Sequence, residues 1–273
     1  MIRLLCLLAL LVSFPAHAAP GHHPFPGGIA VVPLGQDATP ETVRFDGQRA
    51  SLVRSGDQWQ AVVGIPLDAE PGEHAVTVNR ADGSLARHHF TIRAKDYPEE
   101  HITIKNKRKV TPSKSDLERI YRERDMKDNA MQTFRDPLPD LDLAWPVTGR
   151  ISGEFGSRRF FNGKPRSPHS GIDVAAPRGT PIQAPADGRV ILVNDFFFSG
   201  NCVYIEHGQG LITFYAHLAE PRVKKGQTVE KGQTIGLVGA TGRVTGPHLH
   251  WGVALNRSWV DPRLLTPSMQ AAR

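Results

Sequence analysis

The segment Thr241–Trp251 reads TGRVTGPHLHW, and its last five residues, Pro247–Trp251, carry the strongest local signal in the chain. The alternating run from His248 to His250 is typical of a β-strand. Because side chains on a strand point alternately to opposite faces, His248 and His250 are expected on one face, where both can serve one site. Taken alone, a His-x-His pair also fits an exposed strand or a packed core.

A second cluster, His169–Asp173 (HSGID), supplies another imidazole and a carboxylate. The glycine within it allows the segment to fold both groups toward one point. Two imidazoles and one carboxylate are typical of hydrolytic zinc sites, which leave a fourth position open for water. The two clusters together therefore suggest a catalytic metal site.

Short strand-like segments separated by Gly-centred turns surround both clusters. The turns lie at residues 186–188, 207–210, 225–226 and 231–232, and no long amphipathic helix interrupts the pattern. We therefore predict a C-terminal domain of antiparallel β structure over residues 145–265.

The N-terminal part also consists of strand-like segments separated by turn residues, but it has no comparable cluster of candidate catalytic residues. Segments rich in β-branched and aromatic residues are bounded by turn signals, which favours a small β-sandwich over residues 25–95. The strands are predicted at Ile29–Val32, Thr42–Phe45, Trp59–Val63, His74–Val78 and His88–Ile92.

Residues 96–140 are densely charged and predict a helical linker between the two domains. The stretch Ser115–Glu118 matches a capping box, and apolar residues follow it at helical spacing, which predicts a helix over Lys114–Phe134. A charge-rich helix of this kind usually presents a solvated face, although its basic residues could also touch an anionic polymer.

The first 18 residues have the pattern of a secretory signal peptide. Arg3 supplies the positive charge, Leu4–Val12 the apolar segment, and Ala16–Ala18 the small residues of a cleavage site. The mature chain is expected to begin at Ala19. A membrane anchor is the alternative, but the apolar run has about half of the ~20 residues that a spanning helix needs.

Removal of the signal would also remove Cys6 and leave Cys202 as the single thiol, so no intramolecular disulfide is expected. A lipid attachment at Cys6 is disfavoured because this residue lies inside the apolar segment. Cys202 lies in an alternating run and is interpreted as a buried structural residue rather than a nucleophile.

Composition and charge limit the classes of function. The chain has 273 residues, 40% of them hydrophobic and 22% charged, as in a soluble protein of two domains. Its formal charge of +6 becomes +5 without Arg3. For an exported basic protein the anionic partners to expect are envelope polymers and lipid headgroups, not nucleic acid.

Five segments together resemble the lysostaphin-type, or LytM-domain, M23 peptidase family. The resemblance covers about residues 145–262 with the motifs in consistent order. It is carried by Phe155–Arg158 (FGSR), Arg166–Asp173 (RSPHSGID), Phe214–Leu218 (FYAHL), Thr241–Trp251 (TGRVTGPHLHW) and Trp259–Pro262 (WVDP).

The resemblance implies a zinc ion held by His169, Asp173 and His250, with His217 and His248 as the catalytic pair. No His-Glu-x-x-His pattern is present, so imidazoles would accept the proton of the attacking water and stabilise the oxyanion. Which histidine does which stays open.

The implied activity is an exported, periplasmic endopeptidase acting on the peptides of bacterial peptidoglycan. All five matching positions are intact, which favours an active enzyme over a non-catalytic module that binds the wall or activates another hydrolase. A carbohydrate-binding β protein with incidental histidines is a third, weaker alternative. The N-terminal region is expected either to restrain the peptidase or to stabilise it or recruit a partner, with a regulatory protein partner left open.

Overall fold

The structure, a computed structural model, describes residues 19–35, 42–80 and 82–267. The predicted signal peptide, residues 1–18, lies outside the described residues. Within the described residues no helix is long and apolar enough to cross a membrane.

The predicted sandwich region contains two small sheets. Strands β1, β5 and β4 form one, and strands β3, β2, β6 and β7 form the other. Their bounds are β1 Ile29–Gly35, β2 Thr42–Phe45, β3 Gln48–Arg49, β4 Ser51–Ser55, β5 Gln58–Gly64, β6 Gly72–Asn79 and β7 Leu85–Ile92.

The five strands predicted in this region are confirmed, with ends extended by a few residues. The alternating burial along β1 explains its place, because Ala30 and Val32 enter the core between the two sheets together with Val76 and Phe90. The sequence analysis did not predict β3 or β4.

The charged linker holds one strand and one helix, β8 Glu99–Ile102 and α1 Lys114–Met131, besides a short 3₁₀ turn at Lys107–Lys109. Helix α1 begins where predicted but ends three residues before Phe134. The predicted capping box is wrong. The helix is capped by Ser113 and Asp116, whose side chains each accept a hydrogen bond from the backbone N–H of the other.

Thirteen strands follow in the described C-terminal part. Their bounds are β9 Arg150–Gly153, β10 Arg158–Phe161, β11 Lys164–Pro165, β12 Ile172–Ala175, β13 Pro181–Gln183, β14 Gly188–Phe196, β15 Gly200–Glu206, β16 Ile212–Leu218, β17 Glu220–Pro221, β18 Thr228–Val229, β19 Thr234–Leu237, β20 Leu249–Leu255 and β21 Ser258–Val260.

The main sheet runs in the order β18-β14-β15-β16-β20-β12-β9, with β21 paired to β20. All of its pairs are antiparallel. The predicted fold class, mainly antiparallel β with one linker helix, is confirmed. One exception lies outside this sheet, where β8 pairs in parallel with β10.

The two β regions share a hydrophobic cluster. Ile29 and Val62 of the N-terminal sheet lie in the same buried group as Leu255 and Val260 of the β20–β21 hairpin. The side chain of Asn256 joins them further, because it accepts from Gly64 N at 2.6 Å and donates to Gly64 O at 2.9 Å. The predicted domain boundaries at 25–95, 96–140 and 145–265 stay predictions.

Candidate metal centre

Two neighbouring strands bring a carboxylate and an imidazole face to face. Asp173 on β12 and His250 on β20 are direct partners in the antiparallel ladder. His169 precedes β12 by three residues and is linked to it through Gly171. A side chain at Gly171 would collide with the backbone of Trp251, so the close approach of the two segments requires glycine there.

The three side chains converge on one point. His169 Nε2 lies 2.9 Å from His250 Nδ1 and 3.1 Å from Asp173 Oδ1. His250 Nδ1 lies 2.9 Å from the same oxygen. All three residues are buried, and their ligand atoms form a group able to hold a metal ion.

The chemistry of this donor set fits a cation. His169 Nδ1 donates to Glu154 O at 2.8 Å, so its Nε2 carries a lone pair that faces the other two groups. Asp173 Oδ1 is an acceptor as well. The separations of 2.9 to 3.1 Å are close to the edge of about 3.3 Å expected when ligands surround zinc tetrahedrally at ~2.0–2.1 Å.

Asp173 is anchored from outside the cluster by Arg159 on β10. Arg159 donates to Asp173 Oδ2 at 2.6 Å, and its Nε donates to Glu100 on β8 at 2.8 Å. Burial alone would raise the pKa of Asp173, but its close polar contacts with the rings of His169 and His250 outweigh burial and hold the pKa well below its ordinary value. The carboxylate is therefore ionised.

His217 lies at the end of β16 in a strained conformation. Its φ of 66° falls in the left-handed region, which non-glycine residues rarely adopt. Its backbone N–H donates to Ser199 O at 2.8 Å and its Nδ1 donates to Thr241 O at 2.9 Å. These two hydrogen bonds hold the backbone and the ring of His217 in this otherwise unfavourable conformation.

His248 lies beside His217, just before β20. The two ring centroids are 4.9 Å apart. His248 Nδ1 donates to Gly246 O at 2.9 Å, and its Nε2 lies 3.8 Å from Asp173 Oδ1. Since both Nδ1 atoms donate to carbonyl oxygens, both histidines present Nε2 as an acceptor when neutral.

The structure thus brings together all five residues predicted from the sequence. Burial, followed by the charge of His248, lowers the pKa of His217 to about 3. Burial also lowers the pKa of His250 to about 4. Both rings are neutral near pH 7, as a metal ligand or a general base must be.

Other residues weighed in the sequence have structural environments. His207 is buried, with Nδ1 donating to Asp187 O at 2.8 Å and Nε2 at 2.7 Å from Thr213 Oγ1. Glu206 accepts from the backbone of the turn that follows it. Cys202 is buried, and burial raises the pKa of its thiol to about 12, so it is no nucleophile near neutral pH.

Sequence reasoning missed Arg159 and Glu100. Arg159 directly follows the FGSR motif, and this position beside the motif was the signal that the sequence offered. Glu100 had no comparable signal, because its role depends on β8 pairing with β10 in register, Glu100 opposite Arg159.

Most of the chain is similar to a solved structure, that of a candidate M23 peptidase from Pseudomonas aeruginosa. The two sequences are 41% identical, the alignment covers 89% of this chain and 95% of the other, and the TM-score is 0.76. The chain belongs to peptidase family M23.

Two family models locate this membership along the chain. The model for peptidase family M23 matches residues 167–262, and the model for the M23 N-terminal domain matches residues 22–95. The first range contains every member of the five-residue cluster. Within it, His169, Asp173 and His250 are the group that could hold a metal ion.

Among curated relatives, peptidoglycan DD-endopeptidase ShyA of Vibrio cholerae is 50% identical over 112 residues, 41% of this chain and 25% of its own. DD-carboxypeptidase/endopeptidase Mpg of Neisseria meningitidis is 43% identical over 129 residues, 46% of this M23 chain and 30% of its own. The chain spans between a quarter and a third of the length of these relatives.

Proposed function

We propose that this protein is an exported zinc endopeptidase that hydrolyses peptide bonds in bacterial peptidoglycan. The observation that carries the proposal is the convergence of His169, Asp173 and His250 on one point, with His217 and His248 at its edge. The substrate class is inferred from the similarity to ShyA and Mpg, which are named for peptidoglycan or DD-peptidase activity.

The proposed cellular location follows from the proposed substrate. Peptidoglycan lies outside the cytoplasmic membrane, and the signal-like pattern of residues 1–18 supplies a route to the periplasm. The proposal divides the mature chain into a sandwich at 25–95, a linker at 96–140 and the peptidase domain at 145–265.

The proposed chemistry assigns His169, Asp173 and His250 to zinc and leaves the proton transfers to His217 and His248. When bound, zinc supplies Lewis acidity, which polarises a carbonyl and lowers the pKa of water. A neutral imidazole with a free Nε2 could accept the proton of the attacking water, and an imidazole that becomes protonated at Nε2 during the reaction could donate to the developing oxyanion. Either histidine has the Nε2 that these steps need, so their individual roles stay open.

The ligand assignment predicts one zinc per mature chain. Ala at His169, Asp173 or His250 removes one of three ligands and is expected to abolish tight binding, because the remaining pair cannot complete the site. Metal analysis of purified variants measures this. Full zinc retention in all three would exclude these residues as the ligands.

The catalytic assignment predicts the opposite behaviour for His217→Ala and His248→Ala. Both variants are expected to retain zinc and to lose about 10²- to 10⁴-fold in activity, the usual contribution of general acid–base catalysis. Parental rates of muropeptide cleavage by both would refute the assignment.

Digestion of purified sacculi followed by mass analysis of the fragments tests the activity itself. We expect fragments cut at peptide bonds and no cleavage after zinc removal by a chelator. A folded, zinc-loaded chain that leaves sacculi intact would instead support a non-catalytic wall-binding or activating module.

A further inference from the structure

Arg243, in the segment between His217 and His248, lies over two aromatic rings. The guanidinium of Arg243 lies 4.3 Å from the ring centroid of Phe161 on β10 and 4.3 Å from that of Phe198 in the β14–β15 turn. Its backbone N–H donates to Phe198 O at 2.8 Å. The stacking fixes the plane of the guanidinium and leaves its N–H groups at the edge.

This arginine is close to the catalytic histidines along the chain. It follows Thr241, whose carbonyl accepts from His217 Nδ1, by two residues. It precedes His248 by five residues, and the turn that carries Phe198 continues to Ser199, which accepts from His217 N. Arg243 therefore borders the side of the centre on which His217 lies.

No acidic group balances the charge of Arg243. Among the residues that the structure describes, its half-buried side chain makes no hydrogen bond and no ion pair. Its charged neighbour Arg159 already occupies two carboxylates, because Asp173 and Glu100 both accept from it. Within the described chain, the guanidinium of Arg243 therefore contacts aromatic rings but no carboxylate.

Positive charges near Arg243 make a negatively charged partner more favourable. Burial, and then the positive charges of Arg166 and Arg159, lower the pKa of Arg243 to about 10. Arg159 is neutralised by its two carboxylates, but Arg166 donates only to the carbonyl oxygens of Pro165 and Val110. Within the described ranges, two guanidinium groups in this region therefore have no carboxylate partner.

Stacking alone does not account for this arrangement. Arg49 also lies over a ring, that of Phe134, at 3.7 Å, and it too has no ion pair within the described chain. Arg49 is exposed, so water solvates its charge. Arg243 contacts two rings and is partly removed from water, so an anion that pairs with it gains more than one that pairs with an exposed arginine.

We propose that Arg243, supported by the charge of Arg166, binds a carboxylate of the peptide substrate beside the metal centre. The inference rests on the proposed peptidase function for the identity of the ligand. Peptidoglycan stem peptides carry carboxylates at the C-terminal residue and on side branches, and a planar guanidinium binds such a group through two parallel hydrogen bonds. The site would select acidic stems over amidated ones.

Binding of three synthetic peptides to the zinc-loaded mature chain tests the proposal. The probes are a stem tetrapeptide with all carboxylates free, the same peptide with a C-terminal carboxamide, and one with its side-branch carboxylates amidated. Isothermal titration gives the Kd of each. Loss of one charge-assisted pair is expected to weaken binding about 10- to 100-fold, and the peptide that loses affinity identifies which carboxylate is bound.

Matched variants assign the selectivity to Arg243. Arg243→Gln is expected to bind the acid and the amide with nearly equal Kd. Arg243→Lys keeps the charge without the planar fork and is expected to retain part of the preference. Arg49→Gln removes a stacked guanidinium elsewhere and should keep the parental ratio. Zinc content and melting temperature of each variant verify that it folds.

Binding and cleavage separate this inference from the proposed function. Equal affinity of the parental chain for all three peptides, or an unchanged ratio in a folded Arg243→Gln variant, would overturn the carboxylate site even if sacculi are digested. Conversely, Arg243-dependent preference for the acid in a chain that digests no sacculi would uphold the site and reject the peptidase proposal.

Discussion

At the scale of single residues, Arg159 connects the metal centre to the linker. It occupies the oxygen of Asp173 that faces away from the histidines, and only 14% of its side chain is exposed. Gly153 makes room for the contact, because a side chain there would collide with Asp173 and Arg159. Arg159 is therefore a positioning residue that holds the carboxylate in its rotation toward the histidines.

Removal of this support should weaken zinc binding without removing a ligand. Arg159→Ala is expected to lower zinc affinity about 10- to 100-fold, the usual effect of losing an outer partner of a ligand. Glu100→Gln leaves the Arg159–Asp173 bond and should have a smaller effect. Competition with a chromophoric chelator gives the affinities.

Arg158 provides the matched control for Arg159. It is the adjacent arginine, it pairs with Glu99 at 3.2 Å, and its side chain is 64% exposed. Arg158→Ala should therefore bind zinc as the parental chain does. Equal affinities in the Arg158 and Arg159 variants would contradict the positioning role.

His207 makes stability depend on pH. Burial lowers its pKa from 6.5 to about 4, so the unfolded chain binds the proton more tightly than the folded one. The stability it contributes is complete above about pH 6.5 and is lost as the pH falls toward 4, by up to about 3 kcal/mol. Urea unfolding at pH 7.5 and pH 5 should show a smaller acid-induced loss in His207→Gln.

A substitution at an exposed histidine of the sandwich is the matched control. His89, which is 55% exposed and faces Glu73 at 3.2 Å, offers the comparison. His89→Gln is expected to keep the parental difference between the two pH values. An equal loss of stability between pH 7.5 and pH 5 in the parental chain and in His207→Gln would show that burial does not exclude the proton from His207.

The sequence predicted the five site residues but not what orients them. Alternation on a strand placed His248 and His250 on one face, and the family motifs supplied His169, Asp173 and His217. Their partners are largely backbone carbonyls, at Glu154, Thr241 and Gly246. A carbonyl has no residue signature, so these contacts could not be read from the chain.

At the scale of elements, helix α1 supports the turn next to His217. Glu123 on the helix is buried and accepts from Phe197 N with both oxygens, at 2.9 and 2.8 Å. Arg119 donates to Glu123 at 2.6 Å and to Asp195 O at 2.8 Å. The helix therefore fixes the β14–β15 turn, whose Ser199 holds the backbone of His217.

Substitution of Glu123 should loosen this turn. Glu123→Ala leaves the buried Phe197 N–H without an acceptor and is expected to reduce the free energy of unfolding by about 1–3 kcal/mol. Glu123→Gln keeps one acceptor and should lose less. Urea unfolding gives the energies, and hydrogen exchange at the Phe197 amide should quicken locally.

An exposed ion pair on the same helix is the control. Arg124 and Asp128 lie 3.7 Å apart with more than half of each side chain exposed, so Asp128→Ala should change stability by at most about 1 kcal/mol. If Glu123→Ala were equally mild and left exchange at Phe197 unchanged, the helix would have no part in supporting the turn.

The helix also shows where pattern reading fails. Both Ser113–Asp116 and Ser115–Glu118 satisfy the capping-box spacing, and the sequence offers no way to choose between them. In the structure Asp116 also accepts two hydrogen bonds from Arg108. That contact comes from the preceding 3₁₀ turn, so the choice depends on tertiary geometry. Strand β8 was missed for the same reason, because its partner residues on β10 lie 59 positions further along the chain.

At the scale of the whole molecule, the sandwich packs against the β20–β21 hairpin of the peptidase sheet. Besides the shared cluster, Gln209 accepts from Leu52 N through its side chain at 2.7 Å and from Ser51 Oγ through its backbone at 2.9 Å. In the described chain, no residue before Trp145 makes a hydrogen bond, ion pair or ring contact with the five site side chains. The contacts therefore favour stabilisation over a direct block of the zinc site, while restraint of the groove stays a prediction.

A fragment that starts near Asp140 tests these alternatives, and we expect it to be less stable and no faster than the mature chain. Its loss of the sandwich exposes Leu255 and Val260, and each apolar side chain buried in the shared cluster contributes about 1.5–3 kcal/mol. Melting temperature and sacculus digestion per zinc-loaded molecule are the measurements.

Asn256→Ala in the mature chain is the companion variant, because it removes both bonds to Gly64 while keeping every residue of the linker. Under restraint, loosening the interface raises the open fraction, so both proteins should digest faster. Under stabilisation, both should melt earlier and gain no rate. Faster digestion by a folded, zinc-loaded fragment and by Asn256→Ala would therefore overturn the stabilising role and establish restraint.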